Sequence, residues 1–134
     1  MIEGYIVLAN RIRNELVDLE RVLSRAEEAI VASHEYVQKQ NFYIDSAALS
    51  LHDIYTGLER IFQLIATTVD NTLPSGNTWH QDLLRQMNLE ISNLRPKVLS
   101  DDVVNNLDEF LRFRHVVRNV YAFTFDPEQI ERLV

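Results

Sequence analysis

The sequence predicts an all-α protein, an up-and-down bundle of four main helices plus a short C-terminal helix. Three observations predict it. Only three glycines and three prolines punctuate 134 residues, and so few breakers favour long helices over strands and turns. Apolar residues recur at steps of three and four through each long segment, the period of a helix with one buried face. With 46% apolar and 25% charged residues, the chain has the balance of a globular protein, and residues 1–134 are long enough for one core and one domain.

The first helix runs from Ile2 to about Gln40 on a heptad seam of Tyr5, Ala9, Ile12, Leu16, Leu19, Leu23, Ala26 and Ile30. A helix of that length can show one flank to a partner, so dimerisation is expected. The stretch Gln40 to Asp45 breaks the pattern, and Asp45 or Ser46 is the expected cap of the second helix. That helix continues to about Val69 with Leu51, Tyr55, Leu58, Phe62 and Ile65 on its apolar face and His52, Glu59 and Arg60 on its polar face. Glu59 reads as the surface partner of Arg60, or as a carboxylate able to orient an arginine of the C-terminal helix.

Asp70 to Gly76 is a loop, and Thr78-Trp-His-Gln81 has the form of a capping box. It opens a helix through Leu83, Leu84, Met87, Leu89 and Ile91, stopped by Arg95-Pro96. Trp79 reads as a core plug, and His80 as a cap-side hydrogen bonder first and a site residue second. Ser100-Asp-Asp102 starts the last long helix, whose apolar face is Val103, Leu107, Phe110, Leu111, Val117 and Val120. Ala122 to Phe125 forms a short apolar exit. Asp126-Pro127-Glu128 is the N-cap and first turn of a terminal helix.

Charge singles out one stretch. The formal net charge is −7, yet Arg112-Phe-Arg-His-Val-Val-Arg-Asn-Val-Tyr121 gathers Arg112, Arg114, His115 and Arg118 at the far end of the last long helix. Cations are favoured there by the helix dipole, and charge set against the background marks a place to receive an anion. The bland reading is a solvated face paired with acids elsewhere. Eleven of the thirteen basic residues are arginines, whose planar forks grip phosphate with two parallel hydrogen bonds. Arg114, Arg118 and Tyr121 fall on one narrow helix face.

Other chemistries are excluded by pattern. The chain has no cysteine, hence no disulfide and no thiolate metal site. None of His34, His52, His80 and His115 has an acid three residues before it, so the Glu-x-x-His pairs of a di-iron bundle are missing. There is no His-Glu-x-x-His, no glycine-rich phosphate loop and no Gly-x-Ser-x-Gly. Neither a metal nor a cofactor is expected. The N-terminus does not resemble a signal peptide, no apolar run is long enough to span a bilayer, and a cytoplasmic protein is expected.

Arg114, four intervening residues, then Asn119-Val-Tyr121 resembles the Arg-x4-His-x-Tyr motif of HepT-like toxins in the HEPN ribonuclease superfamily. Tyr55-Thr-Gly-Leu-Glu-Arg-Ile-Phe62, Leu73-Pro-Ser-Gly76, Trp79-His-Gln-Asp-Leu-Leu84, Arg95-Pro96 and Phe113-Arg-His115 extend the resemblance over roughly residues 50–126. It implies a homodimeric HEPN-like helical domain and the toxin of a type VII toxin–antitoxin pair. It also implies metal-independent cleavage of RNA, tRNA being one candidate substrate. The implied partner is an MNT-type nucleotidyltransferase antitoxin that AMPylates Tyr121. By the resemblance Arg114 is the motif arginine and, with Tyr121, part of the catalytic set. Arg112, His115 and Arg118 are the candidates for phosphate and RNA contact.

Asn119 departs from the pattern, standing where the family has its histidine. An amide cannot exchange a proton near neutral pH, so impaired cleavage is expected. His115 shares a helix face with Asn119 but directly follows Arg114, which is the wrong motif spacing. On an ideal helix position 119 points away from Arg114, so the site requires either distortion near Arg118 or completion by a second copy. The alternative function is a non-catalytic binding partner of a nucleotidyltransferase.

Overall fold

The computed structural model describes residues 2–117 and 125–134, with backbone alone at 115–117. Among these residues every regular element is helical, apart from an isolated bridge between Ile91 and Arg95. The all-α expectation holds.

Helix α1 (Ile2–Glu35) has 34 residues, about 50 Å at ~1.5 Å per residue. It stops short of the expected Gln40. Tyr36 leaves helical geometry at φ −115° and ψ 71°, and a 3-10 turn (Val37–Lys39) reverses the chain, the Lys39 N–H donating to the Tyr36 carbonyl at 2.9 Å. Helix α2 (Gln40–Ile65) therefore begins before Asp45 and Ser46, which lie within it and cap nothing. The buried run Ile44, Ala47, Ala48 and Leu51 explains the early start. Helical spacing already holds there, and the residues before it, the exposed Asn41 and Phe42 among them, need only form a first turn.

The two helices form an antiparallel hairpin, as the contacts of Leu19 with Gly57 and of Glu15 with Arg60 require. Gly57 permits the approach, since a Cβ there would lie 2.5 Å from Leu19 Cδ2. The helix continues through a π turn (Ala66–Asp70), close to its expected end, and terminates at Asn71 in the left-handed region at φ 54°.

Helix α3 (Trp79–Met87) is shorter than expected and ends before Leu89 and Ile91. Its capping box does not form. Thr78 makes no side-chain cap bond, and its hydroxyl instead donates to Asp82 Oδ2 at 3.0 Å. The stop comes from Arg95 rather than from the residue class before proline. Its guanidinium donates to the carbonyls of Gln86 and Leu89 at 3.0 and 2.8 Å and draws the chain into a loop. Trp79 packs on the core as expected.

Helix α4 (Asp101–Val117) is capped as expected, with Ser100 Oγ accepting from the Val103 N–H at 3.3 Å. Val103 itself faces solvent, and Val104 packs inward with Leu107, Phe110 and Leu111. Helix α5 (Pro127–Leu133) starts at the expected cap, the Asp126 carboxylate accepting from the Glu128 N–H at 3.1 Å.

Helix α2 is central, packing along α1 and against α3, α4 and α5. One core cluster joins its first half to Ala29, Phe113, Phe125 and Ile130. The other joins its second half to Leu83, Leu84, Met87 and Leu107. The seam of α1 is only partly covered, since Ile12 and Leu19 pack inward while Tyr5, Leu16 and Leu23 stay exposed.

Candidate functional site

Three helices each contribute one polar side chain to a half-buried cluster: Glu59 from α2, His80 from α3 and Arg114 from α4. Glu59 sits on the inward side of α2 and is 5% exposed. It does not pair with Arg60, which turns to Glu15 at 3.3 Å. Its carboxylate Oε2 lies 2.5 Å from His80 Nδ1, and Oε1 lies 4.0 Å from Arg114 Nη1. The second of the two sequence readings of Glu59 is the one realised. The cap reading of His80 fails for the same reason, because its ring is turned inward to Glu59 and not to the start of α3.

The Arg114 Nη1 atom is 2.7 Å from His80 Nε2 and 3.0 Å from Nδ1, so it caps the ring. The Glu59 carboxylate, an acceptor only, calls for the proton on Nδ1. Nδ1 carries the proton and donates it to the Glu59 carboxylate, while Nη1, close to both nitrogens, lies over the ring face and not along the in-plane lone pair of Nε2. The indole of Trp79 closes over the imidazole with ring centroids 3.5 Å apart. A carboxylate that fixes the orientation and tautomer of an imidazole is the arrangement by which enzymes prepare a general base.

The cluster is not fully satisfied. Arg114 Nε and the Tyr55 hydroxyl are the buried side-chain polar atoms without a hydrogen-bond partner among the described residues. Each buried orphan costs roughly 1–3 kcal/mol, so their concentration around one arginine marks a place where an acceptor is wanting. Burial raises the ionisation of Tyr55 well above the usual phenol range, and the neighbouring Glu59 charge adds to the rise. The phenol stays neutral and able to donate.

Of the sequence candidates, Arg114 is drawn into this cluster with its side chain 17% exposed. Arg112 is not. It lies on the outer flank of α4, 71% exposed and paired with Asp108 at 3.0 Å. The side chain of His115, and Arg118, Asn119 and Tyr121 entirely, lie outside the described residues, as do Val120 and most of the apolar exit. An open cleft of about 570 Å³ between α1 and the end of α2 has both signs of charge in its wall, including Arg11, Arg60, Glu15 and Asp18. It shares no residue with the cluster. Among the described residues no group of three histidine, aspartate or glutamate side chains is placed to hold a metal ion, and no helix is long and apolar enough to cross a membrane.

A family model described as HepT-like protein matches residues 46–134, a span that contains Glu59, His80 and Arg114. No curated protein and no solved structure gives a match.

Proposed function

The chain belongs to the HepT-like family of HEPN-superfamily toxins, and from that premise we propose that it is a metal-independent ribonuclease acting at Arg114. The observation that carries the reading is the setting of that arginine. Its neighbour Arg112 is spent on an exposed pair, whereas Arg114 is held at a buried carboxylate and a partly buried imidazole with one N–H unpaired. Such a guanidinium is prepared to bind a phosphodiester and to stabilise the charge that grows on it during cleavage. Arg118 and Tyr121 complete the phosphate contacts, and Asn119 leaves the motif without its proton-transferring group.

The biological context follows from the same reading. The toxin is neutralised by an MNT-type nucleotidyltransferase that transfers AMP to Tyr121, and it acts as a homodimer in the cytoplasm. The apolar residues exposed along α1, Tyr5, Leu16 and Leu23, support association of two copies.

Asn119→His is the test. Restored proton transfer raises RNA cleavage in the presence of a chelator by ~10²–10⁴-fold, and expression of that variant arrests growth. An inert and non-toxic histidine variant that still forms a stable complex with the transferase sinks the ribonuclease reading in favour of a non-catalytic binding partner.

A further inference from the structure

We propose that His80, oriented by Glu59 and set against Arg114, is a second proton-transferring residue of the site and carries the cleavage that remains with Asn119 in the motif. The proposal rests on the ribonuclease reading above but on different residues. It stands on the juxtaposition of the three side chains and on the unpaired Arg114 Nε.

The geometry separates the roles. Glu59 is the buried member, with a side chain 6% exposed, while the imidazole is 23% exposed. The orienting carboxylate is thus shielded and the exchanging group reaches the surface. A histidine serving only to tie α3 to α2 needs a partner at one nitrogen. Here Nδ1 is anchored, and Nε2 lies 2.7 Å from the arginine that the motif assigns to phosphate.

In the free protein the Arg114 guanidinium lies over the imidazole, 2.7 Å from Nε2. A phosphate oxygen arriving at the guanidinium is held by its N–H groups, which brings the RNA 2′-hydroxyl to the in-plane lone pair of Nε2. Nε2 then removes the proton of the adjacent RNA 2′-hydroxyl. The 2′-oxygen forms a bond to phosphorus, the bond from phosphorus to the 5′-oxygen breaks, and the leaving 5′-oxygen takes a proton from water. The products are a 2′,3′-cyclic phosphate and a 5′-hydroxyl end, and the imidazolium returns its proton to solvent. Arg114 offsets the charge on the phosphoryl oxygens throughout.

The measurement is cleavage of a single-stranded RNA oligonucleotide by the full chain in chelator, for the native protein, His80→Gln, Asn119→His and the double variant. The native chain is expected to cleave slowly and to yield cyclic phosphate ends. His80→Gln keeps a polar group between Glu59 and Arg114 and lowers kcat by ~10²-fold or more with KM little changed. In the Asn119→His background the same change costs much less, because the motif histidine then supplies the proton transfer. A structural role for His80 predicts equal losses in both backgrounds.

The pH profile gives an independent reading that needs no variant to fold. Glu59 from α2 and Arg114 from α4 are the charged groups against His80, with Tyr55 close to both and Asp108 acting on Tyr55. Native cleavage is expected to fall on the acid side, as reaction through a general base requires, and a flat profile overturns the proposal. If Asn119→His cleaves and the native chain does not, the ribonuclease reading stands and this inference falls. If neither cleaves, both fall. Native activity unchanged by His80→Gln also overturns it.

Discussion

Tyr55 and Glu59 stand one turn apart on α2, yet the buried Tyr55 hydroxyl makes no hydrogen bond while the carboxylate is engaged by His80. The phenol instead stacks its ring on Phe110, centroids 6.5 Å apart. It supports the cluster as an apolar wall with an unused polar tip.

Tyr55→Phe removes that tip and leaves the wall. Because the hydroxyl is buried without a partner, its removal is expected to be neutral or to stabilise by up to ~1 kcal/mol in urea unfolding. The pH dependence has a definite sign. The folded-state ionisation of Tyr55 is raised above 10.0, by burial first and then by Glu59. Its contribution to stability is therefore complete below that value and lost as pH rises toward the folded value. The phenylalanine variant should resist alkaline unfolding better than the native chain, and equal alkaline midpoints would contradict the burial argument.

Asp70 and Arg95 make a buried, two-pronged ion pair outside the site. Nε donates to Oδ1 at 2.6 Å and Nη2 to Oδ2 at 2.7 Å, and both side chains are nearly inaccessible. The remaining N–H groups serve the carbonyls of Gln86, Leu89 and Pro96, so one guanidinium ties the end of α2, the end of α3 and the loop beyond it. Breaking such a pair strands a buried charge, and Arg95→Ala is expected to cost ~3–5 kcal/mol in urea unfolding. A loss below ~1 kcal/mol would refute the structural weight given to the pair.

The same pair sets an acid limit. Hydrogen bonds from Arg95 hold the Asp70 carboxyl below its usual 3.8. A depressed folded value means that the stabilisation is present above the unfolded value and lost as pH falls through the folded one. The stability difference between the native chain and Asp70→Asn should thus be full near neutral pH and shrink below 3.8. A difference that stays constant across that window would show that Asp70 does not titrate as described.

Local signals in the sequence are legible where a single segment decides the outcome. Asp126 before Pro127 and Ser100 before the acids of α4 are caps in the structure because a cap needs only its own next turn. The α1 to α2 reversal falls earlier than the sequence suggests because the Gln40–Asp45 stretch breaks the apolar spacing of α1, while the buried Ile44 and Ala47 already belong to the face of the next helix. Glu59 and His80 look like a surface pair and a cap because Arg60 and Thr78 stand beside them in sequence. Their actual partners are 21 residues apart for Glu59 with His80 and 34 for His80 with Arg114. The charge class of Arg114 is legible, but which acid and which imidazole meet it depends on how α2, α3 and α4 pack. A signal is present in the one-turn spacing of Tyr55 and Glu59 on the helix that everything else touches.

Gly57 offers a last test of how α2, and with it Glu59, is seated. Adding a methyl there gains roughly 1 kcal/mol of helix propensity. Against this, the new Cβ would sit 2.5 Å from Leu19 Cδ2 and 3.2 Å from its Cγ. Both cannot be relieved by rotating the terminal methyl alone, so Leu19 or the α1 to α2 spacing must give, at about 1–3 kcal/mol. The clash outweighs the gain in propensity, and Gly57→Ala is expected to destabilise by ~1 kcal/mol. Leu19→Ala empties the contested space at its own cost, and the added methyl then has room. The double variant should therefore be more stable than the sum of the two single losses by about 1 kcal/mol. Additive losses would mean that the helices do not meet at these two residues.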